Sequence, residues 1–167
     1  MSPTADATTF QSRLAALPLE THRAGETVLT EGTSTGRLLI LKSGRVNVVK
    51  GGIEIAGVRE PGAIFGELSV LLDQPHAADV RTSETSEFHV ADAASLLGQD
   101  PIALLYVATV LARRLDSANR ALVELKTQIR AGQPASVIGK AVERMEELLD
   151  TAGASLTYAG YPSNPFA

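Results

Sequence analysis

The apolar residues follow two different periods, and the changes between them divide the chain into segments. Near the start, Phe10, Leu14 and Leu17 recur at helical spacing before Pro18, so residues 8–17 are predicted to form a short packing helix. Short apolar runs separated by Gly and Pro follow, which is typical of a β-sandwich or β-barrel. The predicted strands cover residues 27–29, 38–41, 45–49, 53–56, 78–82 and 87–90.

Gly51 and Gly52 separate two of these runs and predict a hairpin. The favoured two-residue hairpin turn needs positive φ at both central positions, which glycine adopts without a steric cost. Gly44 and Pro61-Gly62 mark further turns in the same way.

From Asp100 onward the pattern indicates a long helix. Asp100 is a suitable N-cap, and Pro101 suits the first helical position because its missing N–H costs nothing there. Apolar residues then recur in alternating steps of four and three, which is the a/d seam of a coiled coil. The seam consists of Leu104, Ala108, Leu111, Leu115, Ala118, Leu122, Leu125 and Ile129. We expect its first half to lie on the core and residues 104–129 to form a homodimer.

Gly132-Gln133-Pro134 is predicted to end the long helix. A shorter amphipathic helix follows, with Ile138, Val142, Met145 and Leu149 on one face, and then a Gly/Pro-bearing tail. This helix could fold back on the sheet, dock on a dimer mate or bind another protein. The expected organisation is therefore a β-domain with the long helix in residues 1–132, and a short helix and tail in residues 133–167.

Composition narrows the range of functions. The chain has 167 residues, of which 44% are hydrophobic, enough for one core and an accessory segment. The net charge of −4, with no basic stripe, argues against a general nucleic-acid or membrane-surface binder. No apolar run is long enough to cross a bilayer, and no secretory leader is recognised. We expect a soluble, cytoplasmic protein.

The sequence does not favour two further classes of protein, DNA-binding proteins and enzymes. A helix-turn-helix unit needs a second, recognition helix, and only a short tail follows Leu149, so DNA binding is not predicted. No nucleophile and base with recognisable spacing occur, so an enzyme is not predicted either. Cysteine is absent, and His22, His76 and His89 lack metal-ligand spacing, so no metal is expected.

The stretch FGELSVLLDQPHAADV, residues 65–80, carries the strongest functional signal. Its pattern indicates a strand end, a tight turn at Gly66, a short helix and the next strand. Glycine lets the backbone turn tightly and approach a ligand, and the free N–H groups at a helix start attract a phosphate. The stretch therefore predicts a cradle for a small anion.

This stretch resembles the phosphate-binding cassette of the cyclic-nucleotide-binding domain family, in which Phe-Gly-Glu leads through a short helix to Pro-Arg-Ser/Thr-Ala. The order of the Gly-bearing turns before it is similar to that of the family's β-roll. The resemblance implies a mainly β domain of the catabolite-activator/FNR effector type: an antiparallel, jelly-roll-like β-roll with an N-terminal helix, a short cassette helix and a long C-terminal dimerisation helix. In the family, that long helix closes over the ligand.

The resemblance also implies roles for individual residues. In the family, the residue at Glu67 accepts a hydrogen bond from the ribose 2′-hydroxyl, and an arginine, here His76, binds the cyclic phosphate. Ala77 stands where a hydroxyl residue is usual. Losing the guanidinium is expected to weaken phosphate binding by about one to two decades, since charge-assisted bonds are about twice as strong as neutral ones. The candidate ligand-binding residues are Phe65, Gly66, Glu67, Leu68, Ser69, His76 and Ala77.

Two functions remain open from the sequence. The first is a stand-alone sensor that binds cAMP, cGMP or a related small anion and repositions the long helix. The second is a dimeric scaffold that kept the fold and lost the ligand, in which case Glu67 could simply cap the short helix. A pH-gated sensor is a variant of the first: if His76 must be protonated, affinity for cAMP would rise as pH falls.

Two side questions stay open as well. Asp79 would repel an anion if it faced the pocket. Contacts to the base would come from polar residues of the long helix, whose candidates are Thr109, Arg113, Arg114, Ser117 and Asn119.

Overall fold

Two four-stranded antiparallel sheets pack face to face in the computed structural model, which describes residues 7–132 and 139–140. The strand orders are β1-β8-β3-β6 and β2-β7-β4-β5. The elements are α1 (Ala7–Ala15), β1 (Leu19–His22), β2 (Thr27–Leu29), β3 (Arg37–Ser43), β4 (Val46–Lys50), β5 (Ile53–Val58), β6 (Ile64–Phe65), α2 (Glu67–Leu71), β7 (Asp79–Thr82), β8 (Ser86–Asp92), α3 (Ala93–Gln99) and α4 (Pro101–Arg130). The predicted mainly β roll with flanking helices is confirmed.

Strand β3 separates two hydrophobic cores because its side chains alternate between its faces. Leu38 and Ile40 join the core beneath the helices, whereas Leu39 and Leu41 join the core between the sheets. The same alternation in β6 sends Ile64 to the helical side and Phe65 to the inter-sheet side.

The predicted hairpin joins β4 and β5, with Lys50 paired to Ile53. Gly51 and Gly52 both have positive φ, at 56° and 80°. The turn is therefore of the kind that the two glycines predict.

Helix α4 begins as the sequence indicates. Pro101 is its first residue, and the Asp100 carboxylate accepts hydrogen bonds from the N–H groups of Ile102 and Ala103. Arg13 of α1 forms an ion pair with the same carboxylate. The helix end is therefore capped and tied to α1.

Most of the first half of the heptad seam of α4 does not lie on the core, contrary to the expectation; Leu111 alone of its four residues packs, half-buried, against it. The core face consists of Ala103, Tyr106, Val107 and Val110. Leu104 is 42% exposed, Leu115 63% and Leu122 44%. The seam runs along the helix beside the core face, and its exposed residues are Leu104, Ala108, Leu115, Leu122 and Ile129.

Aromatic and backbone contacts fix α4 over the sheet. Phe10 of α1 stacks on Tyr106 with ring centroids 3.8 Å apart. The Tyr106 hydroxyl donates to the Gly62 carbonyl oxygen at 3.0 Å. Helix α4 is thereby joined both to α1 and to the segment that leads into the cassette.

Three remaining predictions concern the C-terminal segment, the histidines and a possible membrane span. The predicted C-terminal helix and tail lie outside the described residues, apart from 139–140. His22 and His89 lie half-buried on strands β1 and β8. In the described part of the chain, no single helix is long and apolar enough to cross a membrane, although α3 and α4 would qualify together as a pair bent by 107°.

Candidate ligand-binding site

A cavity of about 350 Å³ opens between the cassette, the inner face of the second sheet and α4. All seven residues that the sequence predicts for ligand binding line it. Most of its other wall is apolar, with Val48, Ile55, Val58 and Val80 among the contributing side chains. The contiguous cassette therefore folds into one concave surface of the size and character of a small-molecule site.

Gly66 is required at the cavity mouth by backbone geometry. Its φ is 92°, in the left-handed region, where it precedes the first residue of α2. A Cβ atom at this position would lie 2.3 Å from the Arg37 carbonyl oxygen. The backbone can pass this point only without a side chain.

Glu67 is the buried acid of the site, with only 3% of the residue exposed. Its Oε1 accepts a hydrogen bond from Arg114 Nη1 at 2.7 Å. Burial raises the pKa of Glu67, while Arg114 and the residue's own backbone N–H act in the opposite direction.

Arg114 is the cation of the cavity and comes from α4. Besides Glu67, it bonds the Ile64 carbonyl oxygen through Nη2 at 2.9 Å. Among the described residues that line the cavity, it alone carries a full positive charge. Of the five polar residues proposed on the long helix, only Arg114 reaches the wall; Thr109, for example, bonds the Leu105 carbonyl of its own helix.

His76 replaces the family's arginine in an environment that favours the neutral ring. The residue is 5% exposed, and its Nε2 lies 2.9 Å from Thr35 Oγ1. Burial lowers the pKa of His76 below its usual value. This direction opposes a pH gate that depends on protonated His76.

Ser69 and Asp79 take up positions that the sequence leaves open. The Ser69 hydroxyl donates to the Gln74 carbonyl at 2.7 Å, which closes the cassette turn. Asp79 does not line the cavity; its carboxylate accepts from Glu31 N at 2.7 Å and pairs with Arg81 at 2.5 Å. These contacts lower the pKa of Asp79 and hold its carboxylate outside the cavity lining.

The described residues contain no group of three His, Cys, Asp or Glu side chains that could hold a metal ion. The site as described therefore offers hydrogen bonds, one ion pair and an apolar wall.

The segment that forms most of the cavity wall is similar in sequence to a known protein family. Residues 19–98 match the model of the cyclic nucleotide-binding domain family. A segment of 69 residues is 38% identical to a cGMP-dependent protein kinase of Toxoplasma gondii; it makes up 41% of this chain and 7% of that protein. The chain thus corresponds to a small fraction of that relative.

Two solved structures have a similar fold. The catabolite activator protein of Thermus thermophilus matches with a TM-score of 0.55 and 22% identity, over 92% of this chain and 85% of that one. The regulatory subunit of a cAMP-independent protein kinase A from Trypanosoma brucei matches with a TM-score of 0.54 and 19% identity, over 63% and 39% of the two chains. At these identities the likeness concerns the fold.

The segment that matches the cyclic nucleotide-binding domain family, residues 19–98, contains the whole cassette. Domains of this family are regulatory rather than catalytic.

Proposed function

We propose that this domain is a regulatory sensor whose cavity binds cAMP, cGMP or a related small anion, with weakened phosphate recognition. The observation that carries this proposal is the convergence of the cassette and Arg114 on one cavity. Its volume of about 350 Å³ is in the usual range for small-molecule sites.

Glu67 is proposed to bind the sugar of the ligand. Its carboxylate is buried, is held by Arg114 on one oxygen and lines the cavity. A fixed, paired carboxylate is a strong acceptor for a hydroxyl group. Capping of the short helix does not account for the contact with Arg114, which lies on a different element.

Phosphate recognition is proposed to depend on Arg114 and on neutral donors. The cassette offers His76, which burial keeps neutral, in place of a guanidinium. The loss of one charge-assisted bond corresponds to about one to two decades of affinity. We therefore expect cyclic nucleotides to bind more weakly here than to the His76→Arg variant.

Coupling to the rest of the chain is proposed to run through α4. Arg114 and Tyr106 connect this helix to Glu67, Ile64 and Gly62 on the path into the cavity. A ligand shifts a conformational equilibrium only through different affinities for the two states. A ligand that competes with Arg114 for Glu67 would supply such a difference.

The exposed seam of α4 is proposed to form a homodimer. Leu104, Leu115, Leu122 and Ile129 present apolar surface at heptad spacing. Pairing two copies along this seam would bury those side chains and bring two cavities under one helical pair.

The second candidate function is a dimeric scaffold without a ligand. The observation in its favour is that the polar groups of the cavity already have protein partners: Glu67 with Arg114, Ser69 with Gln74, and His76 with Thr35. A site that is satisfied internally gains less from a ligand. In that case the seam and the C-terminal segment would carry the function.

Isothermal titration with cAMP and cGMP at pH 7 tests these alternatives. The unmodified protein is measured beside His76→Arg, with Thr127→Arg as a control that adds the same charge on the exposed face of α4. Micromolar binding by the unmodified protein, strengthened about ten- to a hundredfold only in His76→Arg, supports the sensor. Binding by His76→Arg alone supports the scaffold. If neither protein binds a cyclic nucleotide, that ligand assignment is wrong.

A further inference from the structure

The loop before β3 is built around His76. Gly32 N donates to the His76 carbonyl oxygen at 2.9 Å, and His76 N donates to the Thr33 carbonyl oxygen at 2.8 Å. These two backbone bonds hold the loop against the end of the cassette. They place the Thr35 hydroxyl 2.9 Å from Nε2 of the His76 ring.

The two ring nitrogens of His76 therefore have different surroundings. Nε2 is engaged by Thr35, which does not line the cavity. No described residue is hydrogen-bonded to Nδ1, and His76 is one of the residues that line the cavity. A neutral imidazole has one protonated and one bare nitrogen, and the bond made by one nitrogen determines what the other can do.

The hydrogen-bond count at Thr35 favours one arrangement. Its Oγ1 already accepts from Arg37 N at 3.2 Å. A hydroxyl has one proton and two lone pairs. Donation to Nε2 of His76 uses that proton, whereas acceptance from Nε2–H would leave it without an acceptor among the described residues. The ring proton must then sit on Nδ1.

We propose that Thr35 is a positioning residue that fixes His76 as the Nδ1–H tautomer, so that the ring presents a neutral donor to a ligand oxygen where the family has a charged arginine. For its ligand, this inference rests on the function proposed above. The site would then select a singly charged or uncharged oxygen acceptor. Arg114 is the one full positive charge among the described lining residues, so a dianion would lack a second cationic partner. Affinity would not depend on protonation of His76.

The surrounding charges leave the ring neutral. Carboxylates and cations on the neighbouring segments have other partners: Glu67 bonds Arg114, Asp79 bonds Arg81, Arg37 bonds Glu20, and Glu31 accepts from Gly51 N. Asp73 lies exposed in the cassette turn. Burial is the cause of the lowered pKa of His76, and no carboxylate raises it.

Nitrogen NMR of the unligated, ¹⁵N-histidine-labelled chain tests the tautomer directly. The signals of His76 are assigned by their loss in His76→Gln. At pH 7.5 we expect a protonated Nδ1 and a bare Nε2, unchanged in Thr35→Ser and redistributed toward protonated Nε2 in Thr35→Val. Protonated Nε2 in the unmodified protein, or the same spectrum in Thr35→Val, would overturn the inference.

A binding cycle with cAMP tests the consequence. Thr35→Val is expected to weaken binding about three- to tenfold, the contribution of one neutral hydrogen bond, whereas Thr35→Ser retains it. In a His76→Arg background, Thr35→Val should have no such effect, because the donor then no longer depends on a tautomer. An equal loss in both backgrounds would show that Thr35 acts only on loop structure. If cAMP binds none of these proteins, the proposed ligand fails, and the NMR result alone decides the role of Thr35.

Discussion

Arg114 of the long helix donates a 2.7 Å hydrogen bond to Glu67, the first residue of the cassette helix. The pair is 47 residues apart in sequence, and the glutamate side chain is almost fully buried. The same guanidinium bonds the Ile64 backbone, so one side chain joins α4 to both β6 and the start of α2. A movement of α4 along its axis would therefore disturb the buried acid on the cavity wall.

Removing Arg114 should cost stability because it leaves a buried carboxylate unpaired. We expect Arg114→Met to lower the free energy of unfolding by about 1–3 kcal/mol, the usual cost of an unsatisfied buried polar group. Glu67→Gln is expected to cost less, because its amide still offers an acceptor to Arg114. Urea unfolding of the two variants measures both effects.

The double variant Arg114→Met, Glu67→Gln is the control for this pair. A coupling energy of about 1 kcal/mol or more from the four proteins would show that the residues interact in solution. Strictly additive losses would mean that the ion pair contributes nothing to the fold.

Gly66→Ala should disrupt the cavity mouth. The left-handed backbone alone costs an L-residue about 1–2 kcal/mol, and the close contact with the Arg37 carbonyl adds to this. Gly98→Ala is the matched control, because the glycine lies in helix α3 and an added Cβ meets nothing within 4 Å. Alanine there should be neutral or stabilise by up to about 1 kcal/mol. Equal thermal midpoints for the two variants would contradict the left-handed turn at Gly66.

Stability should fall as pH drops through the histidine range. Burial lowers the pKa of both His76 and His89 in the folded protein, so the unfolded chain binds more protons from about pH 7 downward. The free energy of unfolding therefore decreases as pH falls toward about 5.5. His76→Gln removes one contribution, and the decline from pH 7.5 to 5.5 in urea titrations should become shallower. A decline as steep as that of the unmodified protein would place His76 in a water-exposed environment.

Charges on the seam should prevent self-association without unfolding the domain. Leu115→Lys combined with Leu122→Lys places two cations on exposed positions of the seam, which would face each other in a pair of helices. Light scattering after size exclusion should give the monomer mass, with an unchanged circular dichroism spectrum. Thr127→Lys, exposed at a position away from the seam, should keep the mass of the unmodified protein. A monomer mass for all of these proteins would remove the dimer from the proposal.

The sequence predicts the elements whose signals are local. The Gly51-Gly52 turn, the Asp100 cap and the β2 strand occur where the pattern places them. Strand β1 was missed because its residues, Leu19–His22, are mostly polar and at best half-buried. Helix α3 was missed although Asp92 caps it by accepting from Ser95 N, a signal that was present in the sequence.

For the candidate site, too, the sequence predicts the residues that are close in sequence and misses those that only the fold brings together. The cassette is contiguous, so its sequence predicts seven residues of the cavity wall together. Thr35 lies 41 residues from His76, and only the pairing of strands and loops brings them together. The heptad seam marks an apolar stripe on α4 but not which stripe meets the core, because Ala103, Tyr106, Val107 and Val110 form a second stripe beside it. The sequence period alone does not indicate which of two neighbouring apolar faces of a helix packs against the core.

Strand β3 has a mechanical consequence for the domain. Its neighbouring residues Leu39 and Ile40 serve different cores, yet they are joined by a single stiff peptide link. Leu39 pairs with Phe65 of β6, which lies on the cavity wall, so the two layers meet at adjacent residues of one strand. Because close-packed interiors transmit strain, repacking mutations at Leu38 or Ile40 are expected to alter the shape of the cavity as well as the helical layer.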